Sequence, residues 1–334
     1  MRSDDYFSLK FEDDGLVYID QTRLPASEHF IHTEDYKRVA ESIKRLEIRG
    51  APLIGVAAAY AVALAQKKGY SEEHFYKVAD TLASTRPTAV NLFNALDRMK
   101  KLHDDLPPDE RSYKVFLNEA IAIHREDEEM CEAIAANWIK IFKANSVVLT
   151  HCNTGKLATG GIGTAFGVIR RGFEAGKVSF VYADETRPLF QGLRLTSYEL
   201  GKTGIPFKVI TESTAGVLIR DGKIDVVITG ADRIASNGDS ANKLGTFTLS
   251  VLCKVYGVPF YIAAPSTTID RTAKGFLDIP IEERSPLELT QYLSDELAAL
   301  PFDSFNPSFD VTPAENITGI ITGQGVFNYP YNFS

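Results

Sequence analysis

Apolar positions recur along this chain with two different periods. Through 35–47, 71–82 and 90–102 they fall three or four residues apart with charged residues between them, the spacing of amphipathic helices. Ahead of these, Phe7-Ser8-Leu9-Lys10-Phe11 and Leu16-Val17-Tyr18-Ile19 flank Asp13-Asp14-Gly15, which predicts a small hairpin. A helical pattern covers 113–143, and the double proline within 104–110 marks the connection before it. From Ser146 the rhythm changes. Short apolar runs bounded by turn residues appear at 146–150, 178–183, 207–210, 224–229 and 259–263, with helical patterns between them. That alternation predicts an α/β fold with a Rossmann-like, mostly parallel sheet and helices on both faces. Near the end, Thr312-Pro313-Ala314-Glu315 reads as a capping box with proline at the first helical position, predicting a helix to Thr322 that Gly323 and Gly325 stop. The expected organisation is a smaller, mainly helical N-terminal domain with a short β element (1–112), a connecting helix (113–145) and the Rossmann-like domain (146–334).

Composition narrows the classes. At 334 residues with 44% hydrophobic content, two domains and a sizeable core are the expectation. The formal net charge of -8 and the lack of a dense Lys/Arg block argue against a nucleic-acid surface. The longest apolar stretch, 53–65, is too short to span a bilayer, so no membrane partner is expected. Residues 1–5 are acidic, with no apolar run of the kind a secretory leader carries. Cys131, Cys152 and Cys253 are widely separated with no CxxC, which reads as a reduced, cytoplasmic protein without a disulfide or zinc framework. No histidine pair has metal-ligand spacing, and no metal is expected.

The chemistry-bearing residues gather just after the predicted strands, where an open α/β sheet binds its ligands. After the first comes His151-Cys152-Asn153-Thr154-Gly155. After the second comes Glu185-Thr186-Arg187-Pro188 with Gln191-Gly192, after the third Thr211-Glu212-Ser213-Thr214, and after the fourth Gly230-Ala231-Asp232-Arg233 with Asn242-Lys243 beyond. In the helical half, Arg49-Gly50-Ala51-Pro52 and Thr85-Arg86-Pro87 place two arginines at helix boundaries. Two readings stand for Cys152: a small buried hydrophobe, or a nucleophile or base at a helix start. Asp232 reads equally as a helix cap or a functional carboxylate, and Asp184 as a cap or structural group. Arg49 and Arg86 read by default as surface ion-pair residues. Glycines 160, 161, 163 and 167 miss both GxGxxG and GxxxxGK[ST], and read as positions where a helix packs closely on the sheet. Neighbours on a strand point to opposite faces, so a Cys152–His151 dyad is not expected. Taken together, cations, amides, a thiol and a carboxylate suit proton shuttling on a phosphorylated, hydroxyl-rich small molecule.

On Thr150–Gly155 and the other clusters just quoted, with Ile279-Pro280-Ile281-Glu282-Glu283-Arg284 and Asn306-Pro307-Ser308-Phe309-Asp310-Val311-Thr312-Pro313, the chain resembles the methylthioribose-1-phosphate isomerase family. That family is related to ribose-1,5-bisphosphate isomerase and to regulatory subunits of the translation-initiation exchange factor. The resemblance implies conversion of 5-methylthioribose 1-phosphate to 5-methylthioribulose 1-phosphate in methionine salvage, by a homodimer without an organic cofactor. It implies Cys152 and Asp232 as the catalytic pair, and Arg49, Gly50, Ala51, Arg86, Gln191, Asn242 and Lys243 as substrate-binding positions. One segment departs: Glu212 and Thr214 stand where the family pattern has Asp and Met. That departure makes a 5-deoxyribose 1-phosphate isomerase the alternative. A non-catalytic regulatory subunit is a further one, and the glycine pattern argues against a dehydrogenase. No extra basic cluster is present for a second phosphate.

Overall fold

A computed structural model describes residues 6–294, 298 and 302–333, so residues 1–5, on which the leader reading rests, lie outside it. The chain divides into two compact units. One runs to Glu132 and takes in Gly155–Gly163; the other comprises Ala133–Thr154 and the chain from Thr164 onward.

In the first unit, β1 (Leu9–Glu12), β2 (Gly15–Ile19) and β3 (Phe30–Thr33) form an antiparallel sheet. Asp13 and Asp14 take positive φ in the tight turn between β1 and β2, as the hairpin reading required; β3 was not read from the sequence. The helices are α1 (Tyr36–Lys44), α2 (Ala51–Ala65), α3 (Glu72–Ala83), α4 (Val90–Asp105) and α5 (Tyr113–Ala135). Asp35 caps α1 by accepting from Lys37 N, and Ser71 caps α3 by accepting from His74 N. The apolar stretch at 53–65 is α2. It is buried on every side from Leu53 to Leu64, because a helix with no polar face is stable only at the centre of a bundle. Leu16, Tyr18, Phe75, Leu92 and Phe116 belong to the same core. The pattern at 113–143 resolves into α5 and a 3-10 turn, Ala136–Lys140.

The second unit holds a seven-stranded sheet, parallel except at one edge. Its strands are β4 (Ser146–Thr150), β5 (Val178–Asp184), β6 (Phe207–Ile210), β7 (Val226–Thr229), β10 (Phe260–Ala263), β13 (Gly319–Thr322) and β14 (Gly325–Phe327). Across the sheet they run β14-β13-β10-β7-β4-β5-β6. The connecting helices are α6 (Ala165–Glu174), α7 (Ser197–Thr203), α8 (Glu212–Arg220) and α9 (Thr246–Tyr256). Right-handed crossovers place α6 and α7 on one face and α8 and α9 on the other, because the chain reverses direction across the sheet after β6. A smaller sheet of β8 (Arg233–Ala235), β9 (Ser240–Lys243), β11 (Ile269–Asp270) and β12 (Phe309–Thr312) was not foreseen.

The helix expected at 312–322 is a correction. Thr312 ends β12, Ala314–Asn316 is a single 3-10 turn, and Gly319–Thr322 is β13. All four residues of β13 are buried, and Gly319, Ile320 and Ile321 pair in parallel with β10, so both faces are covered and no helical stripe exists. Among the described residues no helix is long and apolar enough to cross a membrane.

The segment after Cys152 packs with the first unit. Gly160 donates its N–H to Asp127 Oδ2 (2.6 Å), and its carbonyl lies 3.3 Å from His124 Nε2, whose other nitrogen meets Tyr60 Oη. A Cβ on Gly160 would sit 2.6 Å from the His124 ring, so glycine is required for this approach to α5 rather than for packing on the sheet. Burial pushes the Asp127 carboxyl up to about 6, against the Gly160 hydrogen bond that lowers it; Glu128 adds to the rise. Because the folded-state pKa exceeds the unfolded one, folding favours the protonated acid. Stability from this group is full below about pH 4 and declines as pH rises through about 6. Asp127→Asn is therefore expected to raise the melting temperature above pH 7, by about 3 kcal/mol of stability, and to flatten that decline. A pH series of melting curves checks it.

Candidate active site

Strands β4, β5 and β6 step outward in one direction, and β7 then returns to the other side of β4. The switch point of the sheet is thus the crevice between the carboxyl ends of β4 and β7, where a doubly wound sheet binds its ligand. Cys152 follows β4 by two residues and Asp232 follows β7 by three. The register Val148↔Val226 and Leu149↔Val227 keeps these two ends level, and Thr150 Oγ1 donates to Ile228 O at 2.9 Å.

Each residue of His151-Cys152-Asn153 is tied to 184–199. His151 is fully buried. Its Nδ1 lies 3.0 Å from Asp184 Oδ2, and its Nε2 donates to Leu244 O at 2.9 Å. Burial lowers the imidazole pKa, but the Asp184 carboxylate outweighs it and holds the ring above its ordinary value. Asp184 Oδ1 is buried with no hydrogen-bond partner among the described residues, so His151 carries the compensation of that carboxyl. Cys152 has φ 62, a left-handed conformation that costs a non-glycine residue about 1 kcal/mol or more. Its N–H donates to Thr186 Oγ1 (2.9 Å) and its carbonyl accepts from Thr196 Oγ1 (2.6 Å). Asn153 Nδ2 donates to the buried Glu199 Oε2 (2.5 Å). Cys152 is buried, as a small hydrophobe would be, but its backbone geometry at a strand end goes beyond that role. His151 turns to Asp184 and Leu244, consistent with no dyad to the thiol.

Asp232 precedes β8 rather than a helix. Its N–H donates to Ala241 O (2.8 Å) at the start of β8, and the antiparallel step Arg233↔Ala241 puts Asp232 opposite Asn242. Asn242 Nδ2 donates to Thr246 Oγ1 (2.9 Å), and Lys243 Nζ donates to Ser308 O (2.8 Å) while lying over the Phe309 ring. Gln191 is buried just before the π-helical turn Gly192–Thr196, and its Oε1 has no hydrogen-bond partner among the described residues. A buried acceptor left open suits a ligand hydroxyl. Asp184 caps no helix: it ends β5 and serves His151.

In the other unit, Arg49 lies between α1 and α2, and Arg86 in the turn between α3 and α4; both are half-buried. Gly50, at φ 98, precedes Ala51, the first residue of α2. A Cβ on Gly55 would meet Asn91 O at 2.6 Å, so the second turn of α2 packs against the first turn of α4. Each of these two helices has an arginine shortly ahead of its first residue. Among the described residues no cluster of His, Cys, Asp or Glu has the geometry to hold a metal, and all three cysteines are free thiols.

A family model, the initiation factor 2 subunit family, matches residues 47–329. The chain belongs to that family. Within it, this family member is 50% identical over 332 residues to the methylthioribose-1-phosphate isomerase of Thermoanaerobacter sp. (strain X514), covering 97% of this chain and 96% of that protein. It is 48% identical over 333 residues to the one from Geobacter sulfurreducens, with the same coverage. Of solved structures, the 5-methylthioribose 1-phosphate isomerase of Pyrococcus horikoshii OT3 superposes with a TM-score of 0.89 at 38% identity, over 98% of this chain and 94% of that one. The translation initiation factor eIF-2B delta subunit from A. fulgidus gives 0.84 at 40% identity, over 98% and 97%.

Thr186, Thr196 and Glu199 were not singled out as site residues. Thr186 lies inside a quoted motif, and Glu199 is the one acid in α7 (Ser197–Thr203); Thr196 gives no signal in the sequence. Removing His151 leaves Asp184 buried and unpaired, so His151→Ala is expected to cost roughly 3–5 kcal/mol. The double variant with Asp184→Ala is expected to cost less than the sum of the singles, and chemical denaturation of the four proteins checks this.

Proposed function

We propose that this chain is an aldose-ketose isomerase that converts 5-methylthioribose 1-phosphate to 5-methylthioribulose 1-phosphate in methionine salvage, with Cys152 and Asp232 as its catalytic pair. The observation that carries the reading is the placement of these two residues after the adjacent carboxyl ends of β4 and β7, at the switch point. Near 50% identity to curated isomerases over almost the whole chain supports the substrate. We further read the protein as a cytoplasmic homodimer without an organic cofactor, with the chemistry in 146–334.

The phosphate on C1 holds the aldose as a closed ring, so opening precedes isomerisation. The Asp232 carboxyl gives its proton to the ring oxygen as the C1–O bond breaks. The Cys152 thiolate takes the proton from C2, and the electron pair left behind forms the C1–C2 double bond. The thiol then returns its proton to C1 while Asp232 takes the proton of the C2 hydroxyl, leaving the C2 carbonyl and restoring both groups. Arg49 and Arg86, with Gly50 and Ala51 at the start of α2, hold the phosphate; planar guanidinium forks suit its oxygens. Gln191, Asn242 and Lys243 hold the sugar.

NMR of the purified chain with this aldose phosphate is expected to show ketose formation without a partner subunit. Cys152→Ser and Asp232→Asn are each expected to lower kcat by about 10²–10⁴-fold. No turnover by the chain alone contradicts the reading and favours a regulatory subunit.

One observation favours 5-deoxyribose 1-phosphate as a second substrate. Where the salvage pattern has Met, Thr214 hydrogen-bonds Thr211 (Oγ1 to Oγ1, 2.9 Å) at the start of α8, a polar pair in place of a thioether contact. A methyl and a methylthio tail differ by on the order of 1–3 kcal/mol in such a pocket. Thr214→Met is expected to shift the kcat/KM ratio toward the methylthio sugar, and an unchanged ratio contradicts this second reading.

A further inference from the structure

We infer that Thr186 and Thr196 are positioning residues for the Cys152 thiol. The inference rests on the reading of Cys152 as the acid/base group. Cys152 stands in left-handed backbone (φ 62), where its N–H and carbonyl point away from the strand ladder it has just left. Both groups are met by side-chain hydroxyls. Thr186 Oγ1 accepts the Cys152 N–H (2.9 Å), and its own hydrogen goes to Asp184 O (3.0 Å). Thr196 does the reverse: Oγ1 donates to Cys152 O (2.6 Å) and accepts from Asn153 Nδ2 (3.3 Å). Each hydroxyl therefore has one orientation only, fixed by its second partner, and both threonines are buried.

Their own backbone is shaped for the task. Thr186 is itself left-handed (φ 66), which turns its side chain back from the end of β5 toward β4. Thr196 is the last residue of the π-helical turn Gly192–Thr196; one wide turn shifts every later side chain around the axis, and such turns gather at functional sites. With the peptide groups on both sides of its Cα held, the Cα–Cβ bond of Cys152 has one direction, and sulfur is left only the χ1 rotamers about it.

The test compares Thr186→Val and Thr196→Val, which keep the shape and remove the hydroxyl, with Thr186→Ser and Thr196→Ser, which keep it. Each valine variant is expected to lower kcat about tenfold to a hundredfold, with KM within about threefold, and each serine variant to restore most of the loss. Amide hydrogen exchange at Cys152 is expected to quicken at least about tenfold in Thr186→Val. Valine variants with unchanged kcat, or serine variants as impaired as the valines, overturn the proposal. If a valine variant fails to fold, exchange in the unaltered protein decides: a protected Cys152 amide supports the clamp, and exchange at free-peptide rate overturns it. Full activity of Cys152→Ser sinks the underlying acid/base reading instead, and the exchange measurement still reads the clamp on its own.

Discussion

The hydrogen bond between His151 and Asp184 forms where neither side chain meets water, and much of the sheet's active end is organised around it. A carboxyl with one oxygen wholly unpartnered cannot remain in such a place without an imidazole beside it. Because His151 spends its second nitrogen on Leu244 O, the same ring also fixes the loop that follows β9, directly after Asn242 and Lys243. The ends of β4 and β5 and the β9–α9 loop are thus held by one side chain. Commitment of His151 to that side leaves Cys152 to turn the other way. The next residue, Asn153, is in turn fastened to Glu199. A thiol that is to remove a proton from carbon needs such fixity more than it needs exposure, since a small error in its direction is costly in rate.

The first unit contributes a different kind of physics. There the second turn of α2 packs against the first turn of α4, and an arginine precedes each helix. The chain enters this unit at Gly155, three residues beyond Cys152, and is fastened there through both the N–H and the carbonyl of Gly160.

The five parallel strands read as short apolar runs were legible because strands buried on both faces are continuous in Val, Ile and Leu. β13 has the same character, but Thr312-Pro313-Ala314-Glu315 just ahead of it imitates a helix start, and a local capping signal was taken over a tertiary one. β8, β9 and β12 were hidden because Asn242, Lys243 and Arg233 break any alternation; the Asp310 carboxylate in β12 instead accepts from Gly245 N and Phe247 N at the start of α9. Of the candidate site, the residues with distinctive chemistry stand out in the sequence: a cysteine, a carboxylate and two arginines, each beside a turn. What supports them does not. Thr186 and Thr196 are 34 and 44 residues from Cys152, and their importance lies in backbone angles and a π-helical turn that no residue pattern announces.

The most direct measurement is a crystal structure of Cys152→Ala, which keeps the site but halts the chemistry, with 5-methylthioribose 1-phosphate bound. The account predicts the sugar at the β4–β7 switch point, its C2 facing residue 152, Asp232 within hydrogen-bond reach of the ring oxygen, and the phosphate on Arg49 and Arg86. A sugar phosphate ordered elsewhere, with neither residue 152 nor Asp232 against it, would contradict the account.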